Sequence, residues 1–234
     1  MEVGRLVSQL QQIPAHQALF LLKNCVSIPK LMYILRTPRV RDKAGLRVFD
    51  ETVRKAVCSI TNVEMTDSVW KQATLPTSIG GLGIRRTEDI ALPAFLASLF
   101  SVRNLIEQIL PSTDVMSCLS PLVDAWKLKS LTEVPEASLQ GTQKAWDRPI
   151  AEGVFRNITE RVGHEKDDSN QARLPALSSK ESGGWLQWLP ASSLGTLLND
   201  DTLRISVALV WERRFVNPTH VTAESKWTSK VTTD

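Results

Sequence analysis

Leu46, Phe49, Val53, Val57 and Ile60 recur at steps of 3, 4, 4 and 3, the repeat of one helix face. Nowhere do apolar and polar residues alternate with period two for long enough to require a sheet. The spacing therefore predicts an all-α chain: an irregular helical bundle followed by a smaller helical unit.

The same spacing and its punctuation divide the chain into helices. Val3–Leu10 and Ala18–Val26 lie on either side of Pro14, and Pro29 suits the first turn of a third helix. Leu31, Met32, Ile34 and Leu35 give that helix an apolar surface that must be buried, and Thr37-Pro38 ends it. Asp42 is placed to cap the Leu46–Ile60 helix, with Asp50/Arg54 and Glu51/Lys55 as i,i+4 pairs on its exposed side. Thr66 or Asp67 caps a short helix through Trp70 to Thr74, stopped by Leu75-Pro76, and Gly80-Gly81-Leu82-Gly83 reads as a tight turn. Thr87, Asp89 and Ile90 open a long apolar helix to Leu110 that contains Pro93, Phe95, Leu96, Leu99 and Phe100.

Beyond Pro111 the pattern thins. Asp114–Leu128 and Pro135–Val162 read as helices with long polar faces, and Glu165–Asn170 as a charged linker. A compact unit follows: Ala172–Leu177, a Gly183-Gly184 turn, Trp185 and Trp188 as core residues beside Pro190, and a helix from Thr202 to Trp211 capped by Asp200 or Asp201. The expected organisation is a helical domain over 1–110, an extension and linker over 111–170, a Trp-containing unit over 171–215 and a disordered tail over 216–234.

Composition narrows the function classes. With 42% hydrophobic and 23% charged residues the chain falls in the ordinary globular range. No continuous apolar run reaches the roughly 18 residues of a membrane span, and the N-terminus lacks a signal-peptide core. An intracellular protein with no membrane partner is expected, in which the Asn157-Ile158-Thr159 sequon is idle. Cys25, Cys58 and Cys118 are odd in number and widely spaced, which argues against a disulfide framework or zinc site and for buried, inert thiols. His16, His164 and His220 have no second ligand at metal-binding spacing and read as surface or helix-start residues. Asp167-Asp168 is assigned to solvent and Asp200-Asp201 to capping. The glycine turn lacks the Lys-Ser/Thr of a P-loop and the preceding strand of a dinucleotide site. The expectation is no catalytic residue, no metal and no cofactor.

Charge points elsewhere. The net charge is only +3, but residues 1–110 hold 14 Lys and Arg against 9 Asp and Glu, whereas residues 111–234 hold 14 against 16. The surplus is sharpest where Lys30, Arg36, Arg39, Arg41, Lys43 and Arg47 face the single acid Asp42. One reading is a solvated helix end and loop. The other is a surface that contacts phosphate, since guanidinium forks match phosphate oxygens and each neutralised phosphate releases a counterion. Arg85 and Arg86, directly after the glycine turn, carry the same two readings.

Two stretches, Ile28–Thr37 (IPKLMYILRT) and Leu75–Leu99 (LPTSIGGLGIRRTEDIALPAFLASL), resemble the region just downstream of the polymerase palm in reverse transcriptases of non-LTR (LINE-type) retrotransposons. The matching residues are Cys25, Ser27–Tyr33, Leu35–Thr37, Trp70, Gln72–Leu75, Gly80–Arg85 and Ala94–Ser98. A later stretch, Ala172–Leu174 through Gly184–Leu186, Leu189-Pro190 and Leu203–Ile205, resembles the linker that such polyproteins carry before a Cys/His cluster. The resemblance implies that residues 1–110 are a helical thumb, which grips a primer–template duplex through its backbone. The palm carboxylates of an aromatic-x-Asp-Asp turn are not in this chain, and at the position of the Cys/His cluster it reads Phe215–Asp234 without cysteine. The implied partners are RNA, DNA or their hybrid, and a palm domain or other protein on exposed apolar helices. A helical interaction module using Leu31–Leu35 and Phe95–Phe100, a functionless remnant of a mobile element, and a piece of a longer polymerase are the competing expectations.

Overall fold

The computed structural model describes residues 2–37, 43–112, 114–165, 168–179 and 182–211. The chain is all-α, with no strand among the described residues. In chain order the helices are α1 (Glu2–Leu10), α2 (Ala15–Leu21), α3 (Ile28–Leu35), α4 (Lys43–Thr61), α5 (Asp67–Ala73), α6 (Thr87–Ile109), α7 (Val115–Ser130), α8 (Gln143–Glu165), α9 (Asp168–Leu177) and α10 (Asp200–Trp211). A π-turn, Leu22–Val26, joins α2 to Ser27 and α3, and Pro29 sits in the first turn of α3. Residues 132–142 form turns, so α8 starts later than Pro135, and helix replaces most of the linker expected at 165–170. The tail from 216, Asp167 and His220 lie outside the described residues, as do the side chains of His164 and Asp168.

Three apolar clusters organise these helices. In the first, Leu19 and Leu22 meet Val53, Val57 and Ile60 of α4, Trp70 of α5, and Leu203, Val207 and Trp211 of α10. The C-terminal helix thus closes the N-terminal core instead of forming a separate unit, because its buried side chains share one water-free interior with residues almost 200 positions earlier. The second cluster joins α6, α7 and α8 through Leu96, Ala97, Trp126, Trp146 and Ile150. The Trp126 ring meets Trp146 edge-on at 4.9 Å and donates its Nε1–H to the Trp146 carbonyl at 2.9 Å, while Phe100 stacks on Trp146 at 5.2 Å. Helix α6 ends at Ile109, but its core is shared with α7 and α8 from beyond the expected boundary at residue 110; of the Phe95–Phe100 surface expected to await a partner, Leu96, Ala97 and Phe100 are covered by these two helices. The third cluster packs α3 and the start of α4 on α6.

Polar contacts fix the remaining segments. Asp50 does not pair with Arg54 at the surface: its carboxylate accepts the Thr87 N–H at 2.9 Å and the Thr87 hydroxyl at 2.8 Å, capping α6 from a neighbouring helix. Arg54 instead donates Nε–H to the Met65 carbonyl at 2.7 Å and pairs with Asp67 at 2.8 Å. Asn199 caps α10, accepting the Thr202 N–H at 2.8 Å, and frees Asp200 to accept the Ala15 N–H at the start of α2, also at 2.8 Å. The segment before α10 lies along α2: Leu198 N–H donates to His16 Nδ1 at 3.1 Å, Gln17 Nε2 to the Pro190 carbonyl at 3.4 Å, and Lys23 Nζ to the Leu186 carbonyl at 3.3 Å.

Several local expectations change with this packing. His16 stands in the first turn of α2, one of the two places expected for it, but is buried, since α2 is covered on that side by the 185–198 segment. Cys25 and Cys118 are exposed and Cys58 half-buried; the inward positions of α7 are Val115, Leu119, Trp126 and Ser130, and Cys118 falls off that face. Trp185 packs against the first core, while Trp188 is largely exposed. Ala15–Leu35 and Thr87–Ile109 are long and apolar enough to cross a membrane by length and composition alone, which a count of continuous apolar runs misses. Both contribute buried residues to the cores above.

The glycine turn is where backbone meets backbone. A Cβ on Gly81 would lie 2.0 Å from the Leu75 carbonyl oxygen, and Gly80 has φ +84°. Leu82 N–H and Gly83 N–H bond back to Ala73 and Leu75 at 2.8 and 2.9 Å. This clasp sets where α6 begins, and therefore where Arg85 and Arg86 point.

Candidate nucleic-acid interface

Helix α3 rests on α6 through Ile28, Leu31, Met32 and Leu35, which contact Ile90 and Ala94, with Leu46 of α4 beside them. The outer side of α3 is left to solvent and consists of Pro29, Lys30, Tyr33, Ile34 and Arg36. Ile34, expected in the core, is about half exposed because only the 28, 31, 32, 35 stripe faces α6. Tyr33 is 82% exposed.

The cationic candidates separate into two groups. Lys30 and Arg36 are exposed on α3 and at its C-terminal end, and Arg36 touches Gln143 Oε1 of α8 at 3.5 Å. Arg47 is exposed on the first turns of α4; its pairing with Glu88 at 3.6 Å joins two solvated side chains and is weak. Arg39 and Arg41, and the side chain of Lys43, lie outside the described residues.

Arg85 and Arg86 belong to the second group and are turned inward. Arg85 ion-pairs with Asp147 of α8 and donates to the Thr74 carbonyl at 2.9 Å; its Nε is buried without a partner. Arg86 pairs with Asp89 at 2.8 Å and approaches Glu88 at 3.9 Å. Lys129 of α7 completes the group, 3.0 Å from Asp89 and 2.6 Å from the Glu88 carbonyl. These two arginines are therefore turned onto carboxylates and are not presented to solvent, either as an open phosphate-contacting surface or as a solvated helix start. Arg85 holds the start of α6 to α8 and Lys129 holds it to α7, while Arg86 pairs within α6 itself; Arg85 and its carboxylate partner are 62 residues apart.

The carboxylates of this joint differ electrostatically. Burial pushes the Asp89 carboxyl up, but the Lys129 ammonium and the Arg86 guanidinium outweigh it and hold the group below its ordinary value. Burial dominates at Asp147, which lies above its ordinary value despite Arg85 and is pushed further by Asp89. At Asp50 burial also wins, only partly offset by the Thr87 donors and Arg86.

The side chain that sequence reasoning missed is Tyr33. Its signal was available: Lys30 and Arg36 stand three residues before and after it, so all three share one side of a helix. Gln143 carried no local signal, because its place beside Arg36 depends on how α8 packs. Among the described residues no group of three or more His, Cys, Asp and Glu converges to hold a metal ion.

Fold and site together define an all-α protein with a basic, aromatic edge on α3 and α4. No protein-family model, curated protein or solved structure matches the chain.

Proposed function

We propose that the chain is a thumb-like, non-catalytic portion of a retrotransposon reverse transcriptase whose activity is binding nucleic acid through its sugar–phosphate backbone. The carrying observation is that α3 buries its apolar stripe on α6 and turns Lys30 and Arg36 outward, with Arg47 exposed on the adjoining start of α4. Phosphate contacts of this kind position a strand without reading its sequence. The resemblance to LINE-type thumbs supports the same reading. The two resembling stretches are the ones that pack together here, as α3 and as the glycine clasp leading into α6.

The test is a titration with an RNA/DNA hybrid at two salt concentrations, comparing the wild-type chain with an Arg36→Glu/Arg39→Glu/Arg41→Glu variant. Engagement of three to five phosphates gives a slope of log K against log salt of roughly −3 to −4.5, and the variant loses most of the affinity. Equal, weak binding by both proteins overturns the proposal.

A second reading, a helical protein-interaction module, has its own observation. Val102, Leu105, Ile109 and Leu110 at the end of α6 and Met116 of α7 are exposed together. A concentration-dependent dimer in sedimentation, abolished by Leu105→Lys/Ile109→Lys, would favour it.

A further inference from the structure

Resting on the nucleic-acid reading above, we infer that the outer face of α3 is a stacking site for an unpaired strand: Tyr33 takes a base or terminal nucleotide on its ring while Lys30 and Arg36 hold the flanking phosphates. An aromatic side chain this exposed forgoes the burial that normally stabilises it, and Tyr33 is the only tyrosine of the chain. Its neighbours at i−3 and i+3 are both cationic, so the ring sits between two positive ends of one helix stripe. The ligand complementary to an aromatic plane flanked by cations is a polyanion that presents π-faces between its charges. Single-stranded RNA or DNA has that chemistry, whereas a duplex keeps its bases stacked on one another and offers a ring only its ends. Ile34, also exposed beside Tyr33, extends the apolar surface on which a ring or ribose can rest. On the other side of α3 the apolar stripe is held by α6, so the platform is carried by a packed helix and needs no folding on binding.

The single tyrosine makes the test site-specific. The full chain is labelled with 3-fluorotyrosine, and its fluorine resonance is followed during titration with a 12-nucleotide oligo(U), an oligo(dT) of the same length and a blunt RNA/DNA hybrid. Single strands are expected to shift and broaden the resonance and the blunt hybrid to leave it nearly in place. Tyr33→Ala should weaken single-strand binding roughly five- to thirty-fold, Tyr33→Trp should restore it, and hybrid binding should not change. The salt slope should be equal in wild type and Tyr33→Ala, because no charge is lost, and shallower in Arg36→Gln. Helix content and the urea midpoint confirm that the exposed substitutions leave the fold intact. If Arg36→Gln weakens both ligands but Tyr33→Ala changes neither, the stacking assignment fails and backbone binding stands. If no strand or hybrid binds, or the arginine variants bind like wild type, the nucleic-acid reading falls and takes the stacking site with it. A fluorine shift on raising protein concentration alone, without nucleic acid, marks the face as a contact between copies and also overturns the inference.

Discussion

Asp89→Asn removes one negative charge from the centre of the α6–α7–α8 joint while keeping the shape of the side chain. The carboxylate is 5% exposed and lies 2.8 Å from Arg86 and 3.0 Å from Lys129, so the change removes the nearest counter-charge of two cations. Stripping one partner from a buried pair costs about 3–5 kcal/mol. Lys129, at 37% exposure, can turn toward water, whereas Arg86, at 17%, has less freedom to do so. The expected loss is therefore about 2–4 kcal/mol of the roughly 5–15 kcal/mol typical of a domain. Asp50→Asn is the matched control. It too replaces a buried carboxylate by an amide, but Asp50 lies above its ordinary value because burial disfavours its charge. Its amide oxygen can still accept the Thr87 N–H, so at pH 7 this variant should stay within about 1 kcal/mol of wild type. Urea unfolding followed by far-ultraviolet circular dichroism compares the three proteins. The pH dependence supplies the sign. Since Asp89 is held low, its contribution is complete above the unfolded carboxyl value of about 3.9 and lost as pH falls through the lower folded value. Asp50 is held high, so its contribution runs the other way and declines as pH rises through the folded value. Equal losses in Asp89→Asn and Asp50→Asn at pH 7 would refute the ion-pair account of the joint.

Three further substitutions probe other parts of the fold. Gly81→Ala forces a Cβ into the Leu75 backbone and should cost about 3 kcal/mol or lower the yield of folded protein, read as a reduced thermal midpoint. Trp126→Phe loses the 2.9 Å bond to the Trp146 carbonyl and part of the edge-on ring contact, for a loss of about 2–3 kcal/mol in the same urea assay. His16 is held low, chiefly by burial and only partly offset by the Trp185 main chain, so its neutral form supports the fold. Its contribution is complete above about 6.5 and lost as pH falls through the folded value. Acidification from about pH 7 to pH 5 should therefore lower the protection of the Leu198 amide, which donates to His16 Nδ1, relative to its intrinsic exchange rate at each pH, and destabilise wild type more than His16→Gln.

Helix identity was legible because its causes are local. The 3, 4, 4, 3 spacing from Leu46 to Ile60, Pro29 in a first turn and the glycines at 80–83 act over a few residues, and α3, α4 and the turn appear where those signals stand. That Lys30, Arg36 and Arg47 stand at the surface was legible for the same reason. What each polar side chain does at a distance was not. Asp50 and Arg54 are correctly spaced for a surface pair, yet each has a stronger partner in space: an open helix terminus for one and a carbonyl and carboxylate for the other. Arg85 and Arg86 look identical to Lys30 and Arg36 in a charge count, and only the arrival of Asp147 from α8 and Lys129 from α7 makes this turn a structural joint. Asp200 likewise caps a helix 185 residues away from it in the chain. Periodicity and turn chemistry are written into neighbouring residues, and so the chain alone determined its helices. Which cations face water and which are neutralised was decided by packing, because an opposite charge outweighs solvent only where tertiary structure excludes the water between them.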